Sequence, residues 1–507
     1  MDERKSQPIN DAQFDAMLQN SLPELPPEEI VREVTPWHKA IYRALVGIAF
    51  NTFTLNFLCL NYILPAIASI LTLLGFRSLR RENRWFQACY GITLVRSAVF
   101  FAQLILNASI RQSAYYASRL SELVTAGSLG LLFVLFFCLW RAFIAVRLKA
   151  GLPGRAPGAL WLILWYLVIL FMASIHYTGL ILPLVMLVSY VLMIRSLLKL
   201  ARELDEAGFA IRAAPVRLSD RAVVLLILAV LAAGMAWGCL FSASYPMDWQ
   251  PEEPAESSEL SRVREQLLAL GFPENVMADL TEEDIFSCDG ALKVVSEVQE
   301  HPVNKGHYLT TSEGYASYTT TVYDVLELRI TGVAVELPGD QERWKLFHHF
   351  QWVIDPGFSG TECIQLWPAW KNSEGWGPDS DVTGRLLYDR DGQTYTAPYY
   401  FLGSQSYTSD SIFWGKQNAT DIFAAFSLPN SVENQRGYLS YTAAELADGW
   451  IISSWCNYTH QCSALQYPAA TAMETRMQGS GNRSGVFLTV QDALQFDPTG
   501  PRAELIG

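Results

Sequence analysis

Catalytic signatures are missing from this chain. Neither HExxH, GxSxG nor a P-loop occurs. GFSG (357–360) lacks the spacing of a nucleophile elbow, so no enzyme of these classes is expected. Also missing is an acidic side chain near the middle of any long apolar run. A cleavable leader is not expected, because residues 1–36 are polar and acidic rather than basic and then apolar. Basic character is absent from the C-terminal half. Residues 244–507 carry 15 Lys+Arg against 36 Asp+Glu, whereas residues 1–243 carry 22 against 14. An acidic half repels phosphates, which excludes nucleic acid as its partner.

Long apolar runs are what the N-terminal half does have. A membrane span takes about 20 mostly apolar residues. The chain offers six: 53–76, 86–107, 122–144, 158–175, 178–196 and 222–243. The first lies within an apolar stretch, 44–76, too long for one span and too short for two. Asn51, Asn56, Asn61 and Pro65 interrupt it. The reading adopted is an interfacial helix near Trp37–Phe50 followed by one span, with a hairpin as the alternative. Loops rich in arginine (77–84, 141–155, 195–221) alternate with poor ones (108–121, 176–179), which directs the last span outward. The lipid bilayer is therefore a partner, and the expected location is the cell membrane, multi-pass, with the C-terminal half extracytoplasmic. Arg96 alone places a charge in mid-span, and such a charge is a functional candidate by default. The competing role is structural, with the guanidinium bonded to helix carbonyls.

After Ala243 the composition becomes acidic and proline-rich. Residues 244–257 read as a tether and 258–289 as a short helical lead-in. Gly271 stands as its C-cap, and Thr281-Glu-Glu-Asp284 resembles a capping box. From 290 to 507, short runs rich in Thr, Tyr, Val and Trp alternate with turn residues. That pattern predicts an antiparallel β-sandwich, jelly-roll-like. The expected fold is thus a polytopic α-helical membrane domain (37–243) followed by an extracytoplasmic β-rich domain.

Three features of the acidic half bear on ligands. Rings lie beside amides and acids at Trp367, Trp370, Trp376, Tyr399, Tyr400 and Trp414, a combination suited to a sugar or peptide face; the competing role is core filling. Asp379, Asp381 and Thr383 occupy alternate oxygen positions of a calcium loop, with Gly384 at the turn, but the closing glutamate is replaced by Arg390. Calcium is the one cofactor the sequence raises, and a solvated turn is the competing reading. Finally, Cys288, Cys363, Cys456 and Cys462 permit disulfides, and Cys456 with Cys462 could close a short loop. His348 and His349 are adjacent on an expected strand, so they face opposite sides and cannot chelate one metal together.

The function expected from these features is a membrane-anchored binding or sensing protein of the cell envelope, engaging a glycan, peptide or protein. A transporter or its accessory subunit is the first alternative, and an envelope enzyme using external carboxylates is the second.

Overall fold

The computed structural model describes residues 37–498 apart from 53–58, 176–178, 180, 210, 212–213, 215–216, 254–256, 314–315, 412–414 and 479–484. They fall into two compact units, one of residues up to 105 with 114–234, the other of 106–113 with residues from 235 onward.

The first unit is helical. Helix α1 spans Trp37–Phe50, α2 Leu60–Leu79, α3 Arg84–Leu106, α4 Arg119–Lys149, α5 Pro157–Ser174, α6 Ile181–Glu206 and α7 Asp220–Phe241. Helices α2 to α7 are all long and apolar enough to cross a membrane. Several outrun their apolar runs. At 31 residues, α4 would measure about 47 Å. Its basic last turn is neutralised by partners, Arg147 on Glu203 and Lys149 on Glu82.

Helix α1 departs from the interfacial reading. Trp37, Ile41, Ala44 and Leu45 are fully buried in the bundle core. The indole of Trp37 donates to the Ala201 carbonyl (3.2 Å), and Arg43 pairs with Asp220 at the start of α7. Helices α1 and α2 form a hairpin held by two glycines. A Cβ at Gly47 would lie 2.3 Å from Thr72 Oγ1 and 2.6 Å from the Ala68 carbonyl; one at Gly75 would lie 2.6 Å from the Ala44 nitrogen. Backbone cannot yield there as a flexible side chain could. Gly47→Val is therefore expected to destabilise the bundle by about 3 kcal/mol, read as a lowered melting temperature of the detergent-solubilised chain. An unchanged melt would mean that α1 can leave its seat freely.

The second unit opens with segment 244–253, which is built into it and is not a free tether. Gln250–Pro251 (β1) pairs with the strand Gln393–Ala397 (β10), and Trp249 packs edge-on against Tyr388. The lead-in forms three helices, α8 (Ser258–Ala269), α9 (Glu274–Asp279) and α10 (Glu282–Phe286). Ser257 and Thr281 cap α8 and α10 through their hydroxyls. Gly271 follows α8 at φ 95°, the left-handed position where a glycine costs least.

Next come β2 (Lys293–His301), a separate hairpin β3–β4 (His307–Glu313 and Ala316–Val322), β5 (Leu328–Leu337), β6 (Arg343–Trp352), β7 (Glu362–Trp367), β8 (Trp376–Pro378) and β9 (Thr383–Arg390). After β10 follow β11 (Phe401–Ser411), β12 (Gly415–Phe426), β13 (Glu433–Glu445), β14 (Ile452–Gln461), helix α11 (Ala472–Met477) and β15 (Phe487–Phe496). All pairings are antiparallel. One sheet has eight strands in the order β1-β10-β9-β13-β6-β5-β2, with β8 also on β13; the other has five, β11-β12-β7-β14-β15. One core cluster draws on both sheets, through Leu346, Phe350, Ile364, Leu366, Tyr458 and Leu494 among others. This is two-layer packing, but the unequal sheets differ from the eight strands of a jelly roll. A second cluster seats α8–α10 on the outer face of the larger sheet, against Val333, Val335, Phe347 and Tyr438.

Alternation along β6 places the two histidines as expected. His348 points between the sheets, its Nε2 2.8 Å from Ser454 Oγ; His349 points under the helices, its Nε2 2.8 Å from Asp279 Oδ2. All eight cysteines are free. Cys456 lies within β14 and Cys462 just beyond its end, so an extended strand separates them by about 20 Å and the short disulfide loop does not form.

Burial holds the His348 imidazole down to about 4. Unfolding restores an ordinary value near 6.5. The unfolded chain thus binds the extra proton between these limits, and stability is lost as pH falls from about 6.5 toward 4, by about 3 kcal/mol in all. His348→Gln is expected to flatten this part of the stability–pH curve of the full chain. An identical slope in wild type and variant would contradict the assignment.

Candidate functional site

The first unit holds a partly open cavity of about 160 Å³ among its helices, lined by the apolar Ile48, Val99, Phe100, Leu132, Leu135 and Phe136 and by a set of polar side chains. Five helices line it. Asn51 stands at the end of α1, Ser69 and Thr72 on α2, Thr93, Arg96, Ser97 and Gln103 on α3, Ser128 on α4 and Tyr166 on α5. Behind them Thr52 Oγ1 lies 2.7 Å from the Tyr166 hydroxyl and 2.6 Å from that of Tyr190 on α6. Most of these residues sit well inside their helices; Gln103 lies in the last turn of α3, and Asn51 and Thr52 follow the end of α1. Arg96 is about 18 Å along α3 from its start, close to halfway.

Arg96 is the cavity's only charged side chain; no Asp or Glu lines it among the described residues. Its Nη1 donates to the Ser128 carbonyl at 3.1 Å, which is the carbonyl bond the structural reading of Arg96 expects. A guanidinium has five N–H donors, so one such bond leaves most of its capacity unspent. The C-terminal end of α1 offers a partial negative charge, at most about half a unit. Even that is drawn elsewhere. The Tyr190 hydroxyl donates to the Ile48 carbonyl (3.1 Å) and the Ala49 carbonyl (3.4 Å). The charged group at the cavity is thus a cation without an acidic partner among the described residues. Thr93 Oγ1 is buried without a hydrogen-bond partner, on the same helix turn as Arg96.

Chemically this arrangement suits a small anion. The guanidinium supplies charge, and Thr93, Ser97, Ser69 and Asn51 supply short neutral donors around it. Removal from water strengthens each of these contacts.

Of the residues singled out from the sequence, Arg96 and Asn51 meet in this cavity. Asn61 lies on α2 away from the lining, and Asn56 lies outside the described residues. Thr93, Tyr166 and Tyr190 were not anticipated; the available signal was a polar side chain recurring at mid-span.

The five described aromatic residues are not all exposed on one face. Trp376 and Tyr399 are buried in the core; the Trp376 indole donates to the Ile451 carbonyl (3.2 Å) and the Tyr399 hydroxyl to the Tyr438 carbonyl (2.9 Å). Trp370 packs edge-on against Tyr441, whereas Trp367 lies beside Trp455 with Lys371 over its ring. Only Tyr400 is well exposed, stacked on Tyr245. Trp414 lies outside the described residues. Short strands packed between two sheets need large rings as filling, and that need takes these residues.

Two of the three calcium-loop residues are engaged by protein groups. Asp379 pairs with Arg343 at 2.7 Å, and the Thr383 hydroxyl donates to Asp284 at 2.7 Å, while Asp381 is exposed. Among the described residues, no three His, Cys, Asp or Glu side chains gather as a metal site.

No family model matches the chain, and no curated protein does. Solved structures do match. One, described as a pore forming protein, aligns over 41% of this chain and 94% of its own at 7% identity, with a TM-score of 0.17. A score that low carries no argument about fold or function.

Proposed function

We propose that this is a multi-pass membrane protein of the transporter class, which takes a small anion into the bundle at Arg96. The observation that carries the reading is a mid-span arginine lining a cavity in which no Asp or Glu stands among the described residues. Such a residue is costly in a membrane and is retained where it binds or moves something. The helix exteriors support the membrane setting. Leu225, Leu226, Val230 and Leu240 on α7 and Leu184 and Leu192 on α6 are exposed, a surface that water would not tolerate but hydrocarbon would.

Purified protein in liposomes, with a panel of chloride, nitrate, formate and phosphate, tests this. Saturable uptake of at least one of these anions is expected. Failure to bind or pass any of them would remove the reading.

The β-rich unit is assigned to the extracytoplasmic side. The charge bias of the loops supports this. A hydrogen bond within that unit, from the Ile110 amide to the Ser242 carbonyl (3.1 Å), puts the α3–α4 connection and the exit of α7 on one common side, as alternating spans require; the choice of side rests on the loop charges. A cysteine at the exposed Ser258 is expected to react with an impermeant maleimide on intact cells, above the background of the parent chain. Reaction only after lysis would reverse the topology.

A further inference from the structure

The β-rich unit has a large polar pocket of about 680 Å³, walled by α8, the α9–α10 junction, β9, β10 and the segment after β1. Two arginines line it, and they differ. Arg385 is held on three sides: it donates to the Asp279 carbonyl (2.8 Å) and the Leu280 carbonyl (3.2 Å) and pairs with Glu252 (2.6 Å). It fixes the wall. Arg264 is half-buried on α8, and its Nε is shut off from solvent with no acceptor. A half-buried guanidinium without a protein partner is costly, and a carboxylate can satisfy its outer N–H groups with charge-assisted bonds.

A purely anionic ligand does not fit the surroundings. Glu253 and Glu282 are exposed on the same pocket wall, and neither has an ion-pair partner among the described residues. The whole C-terminal half is strongly acidic as well. A ligand that offers a carboxylate to Arg264 and an ammonium to these glutamates satisfies both.

We infer that this pocket binds a zwitterionic amino acid or short peptide, with the carboxylate on Arg264 and the ammonium near Glu253 and Glu282. The pocket volume lies in the range of ordinary small-ligand sites. This site is independent of the Arg96 cavity and goes beyond the transport reading.

Calorimetric titration of the full chain in detergent micelles tests it with L-alanine, L-alanyl-L-alanine, the amidated dipeptide and acetate. Saturable binding of alanine or its dipeptide is expected, and the tighter of the two identifies the source. The amidated dipeptide should bind at least tenfold more weakly. Arg264→Gln should lower affinity at least tenfold and Glu282→Gln severalfold, with the melting temperature of each variant checked separately. Three outcomes would overturn the assignment: no binding of either zwitterion, equal binding of the amidated dipeptide, or acetate binding as tightly as the dipeptide. The amide and acetate comparisons use wild-type protein, so they stand even where a variant fails to fold.

Discussion

Arg96→Gln is expected to lower anion affinity in the bundle at least roughly 30-fold and to abolish uptake at low anion concentration. Truncating one partner of a buried, hydrogen-bonded charge pair costs about 2–5 kcal/mol, and each 1.4 kcal/mol is a factor of ten. Arg96→Lys should retain part of the activity, because it keeps the charge but loses the planar fork. This comparison separates the binding role from a structural one. The guanidinium also holds the Ser128 carbonyl of α4, and a purely structural role would make glutamine and lysine alike in melting temperature and in uptake. A glutamine variant that takes up anions normally would end the proposal.

The second large effect concerns the seam between α8–α10 and the eight-stranded sheet. Asp284 is buried and accepts from Lys345 (2.7 Å), Thr383 (2.7 Å) and the Tyr438 hydroxyl (2.5 Å). Burial alone would push its carboxyl up, but Lys345, Tyr438 and Thr383 outweigh it and hold the group below the ordinary carboxylate value. Asp284→Ala strands the Lys345 ammonium, itself almost fully buried, and is expected to destabilise the unit by about 3–5 kcal/mol. Denaturant unfolding of the full chain reads this loss. Replacing both partners, Asp284→Leu with Lys345→Met, should recover most of it, because no charge is then left unpaired. A double variant as unstable as the single one would assign the seam's strength to packing. The pH dependence follows from the depressed carboxyl. Its stabilisation is fully present above about pH 4 and is lost as pH falls through the lower folded-state value. Asp279, held low by His349 and Arg436 against its own burial, adds a loss of the same sign.

Much of the architecture was legible because burial has a period. The six long helices follow from runs of apolar residues, and the sheets from short alternating ones. His348 and His349 could be placed on opposite faces of β6 from adjacency alone. Arg96 was visible because a charge interrupts an apolar run. What surrounds it was not. Tyr166 and Tyr190 look like ordinary ring residues of a span, and only tertiary packing brings their hydroxyls to Thr52. Helix α1 hid because it enters an apolar stretch, 44–76, too long for one span and too short for two. In the fold His38 and Arg43 meet Asp205 and Asp220 at the bundle's end. The aromatic segments misled in another way. Trp376 and Tyr399 stand beside glycine and proline in polar stretches, yet their side chains cross into the core and satisfy their polar atoms on backbone carbonyls. Sequence neighbours gave no sign of that. Arg264 gave none either, since its orphan nitrogen arises only when α8 docks.

The most direct test of anion binding at Arg96 is a crystal of the full chain soaked in bromide. An anomalous difference peak is expected inside the cavity, within hydrogen-bonding reach of the Arg96 guanidinium and Thr93 Oγ1, and absent from Arg96→Gln crystals soaked alike. Bromide bound only at the protein surface, with the cavity holding ordered water alone, would contradict the anion site.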